Sequence, residues 1–462
     1  MNNTFEIEKS LPNQLVTEEV QKRIDECSAN GGGKIVFTKG EYVLSTVFLK
    51  SNVEIVIEEG AVILGAPSFY DYNFHEKIDY PLYQDESHSY FHCSMFVGIN
   101  VDNVSFTGKG LIDMRSVWDE DGRRGPAIRH RGPKCIALRE CDNVLIDGIT
   151  INNCTDLAIY FAGCNNVEVA NVKMRVYIDG ISPDNSKNVY IHDCDLETGD
   201  DGIVFKSSYT LNRLDICKNI KVEKCKVKSR CSAIKFGTET NGGFENIVVK
   251  NIDVRETRLG GIVIESVDGA IVKDILISDI TMKNVATPIF MYLGDRMRGP
   301  KGMEVGQIRD ITIQNVTAEG PYEPYIIIPL NYFSYCVGSD IQYPWMDSMV
   351  YTPEDIEKGK ANYWQTTSNV MGLNERPIKN LTLKNISLKL QGGCKEYIEK
   401  VPHATSAYPE VNMNGKALPA KGIFFRNVDG LVLDNVKIDT YLEDVRKDDF
   451  VFENVQNCKI IN

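Results

Sequence analysis

Basic charge is what this sequence has little of: 51 lysines and arginines stand against 64 acidic residues, a formal net charge of −13 over 462 residues. Neutralising a phosphate backbone takes a cationic face that this chain does not present, so no nucleic-acid partner is expected. Long apolar runs are also missing. No stretch approaches the roughly 18 uncharged apolar residues of a membrane span, and no membrane association is expected. The opening MNNTFEIEKS has neither a cationic n-region nor an apolar h-region and reads as the start of a cytoplasmic protein. The 13 cysteines form no CxxC pair and no cluster with histidine, which points away from zinc and toward buried free thiols.

What is present is a repeat. Asn or Asp, then Val, Ile or Leu, then an alternating apolar stretch recurs as DNVLIDGITI from 142, NNVEVANVKM from 165, KNVYIHDCDL from 187, KNIKVEKCKV from 218 and ENIVVKNIDV from 245. KDILISDITM from 273, RDITIQNVTA from 309, KNLTLKNISL from 379 and DGLVLDNVKI from 429 continue it. The second residues of the first six copies lie at 143, 166, 188, 219, 246 and 274, in steps of 23, 22, 31, 27 and 28. Periods of this size with period-2 strands predict an all-β stacked solenoid, which runs as one domain over residues 1–462. Alternating Val and Ile suit strands with one face inside the coil, and Asn or Asp at the turns tolerates left-handed backbone and bonds to stacked neighbours.

The stretch 14–66 predicts an N-terminal capping helix, a Gly-rich turn and the first coils. Two segments break the period, 67–95 and 317–377, and both are rich in aromatics, among them Tyr322, Trp345 and Trp364 in the second. Insertions of this kind build binding walls on one face of a solenoid, pack as appendages, or join copies of the chain into a homo-oligomer.

Three segments carry the chemistry: YIDGISPDNS (177–186), TGDDGIVFKS (198–207) and CSAIKFGTET (231–240). Asp179 precedes Asp200 by 21 residues, about one coil, so the two stack on neighbouring coils. Asp201 is adjacent, and neighbours on a straight strand point to opposite faces; Gly199 and Gly202 permit the bend that turns both into one cleft. Three gathered carboxylates supply an acid kept protonated by repulsion and burial beside bases that stay ionised, which is the equipment for cleaving a glycosidic bond. Asp-Asp and Asp-Gly pairs are also ordinary turn chemistry, and calcium gathers carboxylates too, although no EF-hand or RTX spacing accompanies them.

At these residues the chain resembles glycoside hydrolase family 28, the polygalacturonase family. The order DG-x-x-P-D followed by GDD-x-I-x-x-KS carries the likeness, together with GGGKIVFTKGEYVLSTVFLKSNVEIVIEEGAVILG near the start. The resemblance implies a right-handed parallel β-helix, hydrolysis with inversion, and an oligosaccharide substrate, with no metal and no organic cofactor. By position it implies Asp200 as general acid and Asp179 and Asp201 as the pair that activates water. Lys206 matches the family's Lys-Ser after the Asp pair.

The departures bear on specificity. Where the family reads Asn-Thr-Asp-Gly, Tyr177 and Ile178 precede Asp179 and Gly180. Where it reads Gly-His-Gly, this chain has Cys231, Ser232 and Ala233, with Ser232 and nearby Lys235 as substrate-binding candidates. Where it holds a uronate carboxylate with Arg-Ile-Lys, this chain has Val263, Ile264 and Glu265. A carboxylate there meets a repulsion of about 1 kcal/mol, so a neutral or differently linked sugar fits better, with Glu265 accepting hydroxyl hydrogen bonds. Arg296, after a strand end, reaches the cleft or solvates a loop; Arg131 reads as structural. His130 and His192 have no Ser or Cys pattern for nucleophilic catalysis. The expected function is an inverting, exo-acting glycoside hydrolase on pectin-derived or related oligosaccharides. A β-helix lyase or epimerase using Lys206 or Lys235, or an inactive carbohydrate-binding solenoid, are the alternatives.

Overall fold

A computed structural model describes residues 3–461 apart from 13, 84–85, 120–130, 321–366, 412 and 415–416. Most of the second aromatic insertion, with Tyr322, Trp345 and Trp364, and also His130, lies outside the described residues. These residues form two compact units, Met1–Ile203 with Ser208–Cys225, and Val204–Ser207 with Lys226–Asn462. Both are wound from parallel strands, a parallel β-helix type of fold, in agreement with the solenoid read from the repeat.

In the first unit a coil consists of three short strands. Lys134–Arg139, Asp142–Asp147 and Thr150–Asn152 make one; Ile159–Ala162, Asn165–Ala170 and Lys173–Val176 make the next. Registers run Val144 to Val167 to Val189 to Ile220, and Ile146 to Val169 to Ile191 to Val222, so the inward side chains stack as aliphatic columns. Each is buried, and burying such a side chain contributes about 1.5–3 kcal/mol, an upper figure because the unfolded chain hides some of that area already. The intervening residues Leu145, Glu168 and Tyr190 face outward, as alternation requires.

The repeat's second residue is where the coil turns. Asn143, Asn166, Asn188 and Asn219 have φ of 55°, 53°, 55° and 56°. Only Gly, Asn and Asp enter this left-handed region readily. The amides also link coil to coil: Asn166 donates to Asn143 at 3.3 Å and to Asp142 at 2.9 Å, and Asn219 donates to Asn188 at 3.1 Å. The helix Thr17–Ala29 buries Val20, Ile24 and Cys27, and the Gln21 amide brackets Phe48 by donating to its carbonyl at 2.9 Å and accepting from its N–H at 2.8 Å.

In the second unit the strands run longer through the same corners, as in Gly243–Ser266, Ile271–Leu293, Gln307–Glu319, Ile378–Gly392 and Ile423–Leu442. Asn246, Asp274, Asp310 and Asn380 repeat the left-handed corner at φ of 54°, 56°, 57° and 53°. A second ladder links Asn435 to Asn385 at 3.0 Å and Asn385 to Asn315 at 3.1 Å. Twelve described cysteines are free thiols, all buried except Cys458. Among the described residues no helix is long and apolar enough to cross a membrane.

Asn166→Ala removes both the left-handed tolerance and the two amide bonds, and is expected to destabilise the protein by about 2 kcal/mol in urea unfolding. Asn166→Gly keeps the backbone freedom and is expected to cost less; equal losses would show that the corner conformation is not what the asparagine supplies.

Candidate active site

The three aspartates lie in the first unit, at bends that follow consecutive strands. Lys173–Val176 ends in a bend at Tyr177 and Ile178, and Asp195–Thr198 ends in one at Gly199 and Asp200. Backbone bonds fix the two bends against each other: Gly199 N–H reaches Val176 O at 2.9 Å, Gly180 N–H reaches Asp201 O at 3.0 Å, and Ile181 N–H reaches Gly202 O at 3.0 Å. The Asp179 carboxylate accepts the Asp201 N–H at 3.2 Å, and the Thr198 hydroxyl donates to Asp200 O at 2.7 Å, which tightens the turn before the pair. Asp179 and Asp201 are buried, each 4% exposed, while Asp200 keeps more contact with solvent. Gly180 is required here by close approach, since a Cβ would lie 2.5 Å from Gly202 O. The bend that the flanking glycines suggest is therefore present, and Asp179 is on the coil next to the Asp pair.

Behind Asp179 sits a buried ionic node. Ala158 N–H donates to Asp179 O at 3.0 Å, and two residues earlier Asp156 meets Lys134 at 3.2 Å and Arg131 at 3.5 Å. Ser87 donates to the same carboxylate at 2.9 Å, tying the first aromatic insertion to this coil. Burial alone would push the Asp156 carboxyl up, but the Lys134 and Arg131 cations and the Ser87 hydroxyl outweigh it and hold it below the usual range. A second node lies at Asp184, which accepts Ser208 N–H at 2.9 Å and lies 2.9 Å from the Tyr160 hydroxyl; Tyr160 in turn donates to His88 O at 2.7 Å. Burial pushes the Asp184 carboxyl up. The insertion 67–95 is thus packed through Phe69, Ser87, His88 and Phe91 onto the coils, and Arg131 has the structural place its sequence context suggests.

The remaining candidates lie in the second unit. Lys206 pairs with Glu239 at 3.1 Å, with both side chains almost fully buried. Lys235 and Ser232 are buried, and Glu265 is 0% exposed, so neither Lys235 nor Glu265 is a solvated strand residue. The strand register sets Lys235 beside Val263, which brings Gly237 alongside Glu265; a Cβ on Gly237 would lie 2.9 Å from a Glu265 carboxylate oxygen. Arg296 is neither on a solvated loop nor unengaged: it donates to Asp268 and, at 2.9 Å, to Thr238 O. The Asp268 carboxylate outweighs the effect of burial and raises the Arg296 guanidinium's pKa.

Sequence reasoning missed Tyr408, Glu239 and Glu410. The Tyr408 hydroxyl is 3.3 Å from that of Thr238, and Arg296 lies over its ring at 5.5 Å. Burial raises the phenol strongly, Lys235 opposes this, and Glu239, Glu410 and Glu265 add to it. Tyr408 belongs to the irregular stretch between Gly392 and Ile423, where no repeat phase marks which residues face inward. The second unit therefore gathers buried groups of both signs, suited to hydroxyl recognition and poor for a lone anion.

The family described as Glycosyl hydrolases family 28 matches residues 46–341. The chain is 23% identical over 326 residues to a "Probable polygalacturonase" of Vitis vinifera, covering 66% of each protein. It is 24% identical over 296 residues to an "Exo-poly-alpha-D-galacturonosidase" of Dickeya chrysanthemi, covering 53% of this chain and 48% of the relative. It thus spans about half to two thirds of the length of these curated relatives. The solved exopolygalacturonase from Thermotoga maritima has the same fold at a TM-score of 0.60 and 19% identity, over 81% of this chain and 83% of that one.

The depressed Asp156 pKa has a testable sign. A carboxyl lowered in the folded state stabilises above its unfolded pKa of about 4, and that contribution is lost as pH falls through the lower folded value. Asp156→Asn strands two buried cations and is expected to cost about 3–5 kcal/mol at neutral pH, with a shallower further loss in acid than the wild type. Urea unfolding across pH 3–7 checks both, and parallel pH profiles for the two proteins would contradict the assignment.

Proposed function

Since the chain belongs to glycosyl hydrolases family 28, we propose that it is an inverting glycoside hydrolase, exo-acting on pectin-derived or related oligosaccharides, with Asp200 as general acid. Asp179 and Asp201 activate the water. The observation that carries this reading is the bond from Asp201 N–H to the Asp179 carboxylate, which ties buried Asp179 to the bend that carries buried Asp201 and the more accessible Asp200. An acceptor held by a backbone N–H is favoured in its ionised form, the state a base requires. Asp200 is partly exposed, which supports its role as the acid that protonates a leaving oxygen.

The chemistry balances simply. Asp200 protonates the glycosidic oxygen as the bond to the anomeric carbon breaks, and a water attacks that carbon from the opposite face. Asp179 and Asp201 accept the water's proton, and exchange with solvent restores the starting protonation. General acid and base assistance each contribute about 10²–10⁴-fold.

The sugar next to the cleavage point is neutral or differently linked rather than a plain galacturonate. Glu265, buried and acidic, takes the sequence position of the family's uronate-holding Arg-Ile-Lys motif, which supports this reading, since a carboxylate bound there would meet repulsion of the order of 1 kcal/mol. The relative from Dickeya chrysanthemi carries an exo-acting name, which supports end-wise cleavage, while endo-polygalacturonases of Pectobacterium match at similar identity. Lys206 is engaged with Glu239 and is poorly placed to serve as the base of a lyase.

The test is hydrolysis of oligogalacturonides and of neutral pectic oligosaccharides by the wild type and by Asp200→Asn, Asp179→Asn and Asp201→Asn. Each variant is expected to lose at least about 10²-fold in kcat with its fold intact, and the wild type to prefer chains with a neutral unit at the cleaved end. Undiminished turnover by Asp200→Asn would remove the general-acid assignment.

A further inference from the structure

The first unit carries a pair of aromatic side chains that the proposed chemistry does not use. Trp118 lies five residues beyond the strand Leu111–Asp113, on a turn where Arg115 and Ser116 are both left-handed at φ of 56° and 53°. Tyr177 lies on the bend two residues before Asp179. The two rings meet edge to face, with centroids 5.4 Å apart and planes at 68°, and the Ser116 and Tyr177 hydroxyls are 3.2 Å apart. Val117 and Asp119 on either side of Trp118 are buried, whereas Trp118 and Tyr177 both keep part of their surface in solvent. Val117 packs with Phe69 and Cys93 in a small core cluster that includes neither ring.

Backbone bonds show which face of the coils the pair occupies. Ser116 N–H reaches Asn153 O at 3.1 Å, Asn153 N–H reaches Arg175 O at 2.9 Å, and Gly199 N–H reaches Val176 O at 2.9 Å. Ser116, Asn153, the stretch from Arg175 to Tyr177 and the turn at Gly199 and Asp200 therefore succeed one another on one side of four consecutive coils. At about 4.8 Å per coil, Tyr177 is one spacing from the Asp pair and the Trp118 turn is three, about 14 Å. That is the reach of a short oligosaccharide, not of one sugar.

We infer that Trp118 and Tyr177 form an aromatic corner that stacks a neutral pyranosyl unit of the substrate away from the cleaved bond. The inference rests on the glycoside-hydrolase reading above and adds a subsite to it. A pyranose presents a face of C–H bonds, slightly positive at hydrogen, which complements the negative face of an aromatic ring; a carboxylate-bearing unit gains less because its charge stays hydrated. Two rings held nearly perpendicular give a floor and a wall, so one sugar is contacted on a face and an edge. The hydroxyl contact between Ser116 and Tyr177 and the packing of the Thr155 hydroxyl on Val117 O fix the corner from neighbouring coils.

The chain has three tryptophans, so Trp345→Phe with Trp364→Phe leaves Trp118 as the only one. In that protein, titration with a neutral galactotetraose is expected to give a saturable change in tryptophan fluorescence, larger than with tetragalacturonate. Adding Tyr177→Ala is expected to raise the Kd about five-fold, and Tyr177→Phe to recover most of the loss. In kinetics, the KM penalty of Tyr177→Ala is expected to grow from a nitrophenyl monoglycoside to the tetrasaccharide. No saturable change with galactotetraose, or a penalty independent of chain length, overturns the subsite. The fluorescence readout needs no turnover: binding without hydrolysis would sink the catalytic reading alone, and hydrolysis with a length-independent penalty would sink the corner alone.

Discussion

Asparagine and aspartate hold a left-handed backbone at the corners of the coils, and corner asparagines donate a side-chain amide hydrogen bond to the preceding coil. Asn143, Asn166, Asn188 and Asn219 do this in the first unit, and Asn246, Asp274, Asp310 and Asn380 occupy the same corner in the second. Each contact is solvent-exposed and individually modest, of the order of 1 kcal/mol. Their effect is on register. A slip of one residue would turn Val144, Val167, Val189 and Ile220 out of the interior and break every rung at once. The aliphatic columns supply most of the stabilisation, and the corners decide which alignment receives it.

Register is also what positions the aspartates. Because Gly180 N–H bonds to Asp201 O and Ile181 N–H to Gly202 O, a carboxylate 21 or 22 residues earlier in the chain becomes a neighbour in space. A backbone N–H holds the Asp179 carboxylate, and the glycine beside it lets the coils approach. The second unit solves a different problem, holding Lys206, Lys235, Glu239, Glu265 and Arg296 out of water, with Lys206 paired to Glu239 and Arg296 to Asp268. Buried charge of both signs is costly to assemble and discriminates strongly against a wrongly charged ligand.

Much of this was legible in the chain, for a physical reason. A solenoid repeats its contacts at nearly constant sequence separation, so the corner asparagines, the alternating strands and the spacing of Asp179 from Asp200 all show as period. What did not show is everything made by residues off the period. Asp156 meets Lys134 22 residues away but Ser87 69 away, from within an insertion. Tyr408 reaches Thr238 across 170 residues from a stretch with no strand among its described residues. Glu265 was visible as a departure from a basic motif, yet the room for its carboxylate comes from Gly237 opposite, which sequence does not pair with it. Trp118 and Tyr177 sit on turns, where side-chain direction follows from local φ rather than from alternation.

The three aspartates are proposed to act as one acid and a water-activating pair, with no covalent intermediate. The most direct measurement is proton NMR of the first product formed from an α-linked oligosaccharide, read before mutarotation. Inversion requires the β-anomer to appear first and the α-anomer to grow in later. Initial release of the α-anomer would mean that a carboxylate attacks the sugar itself, and would contradict the account.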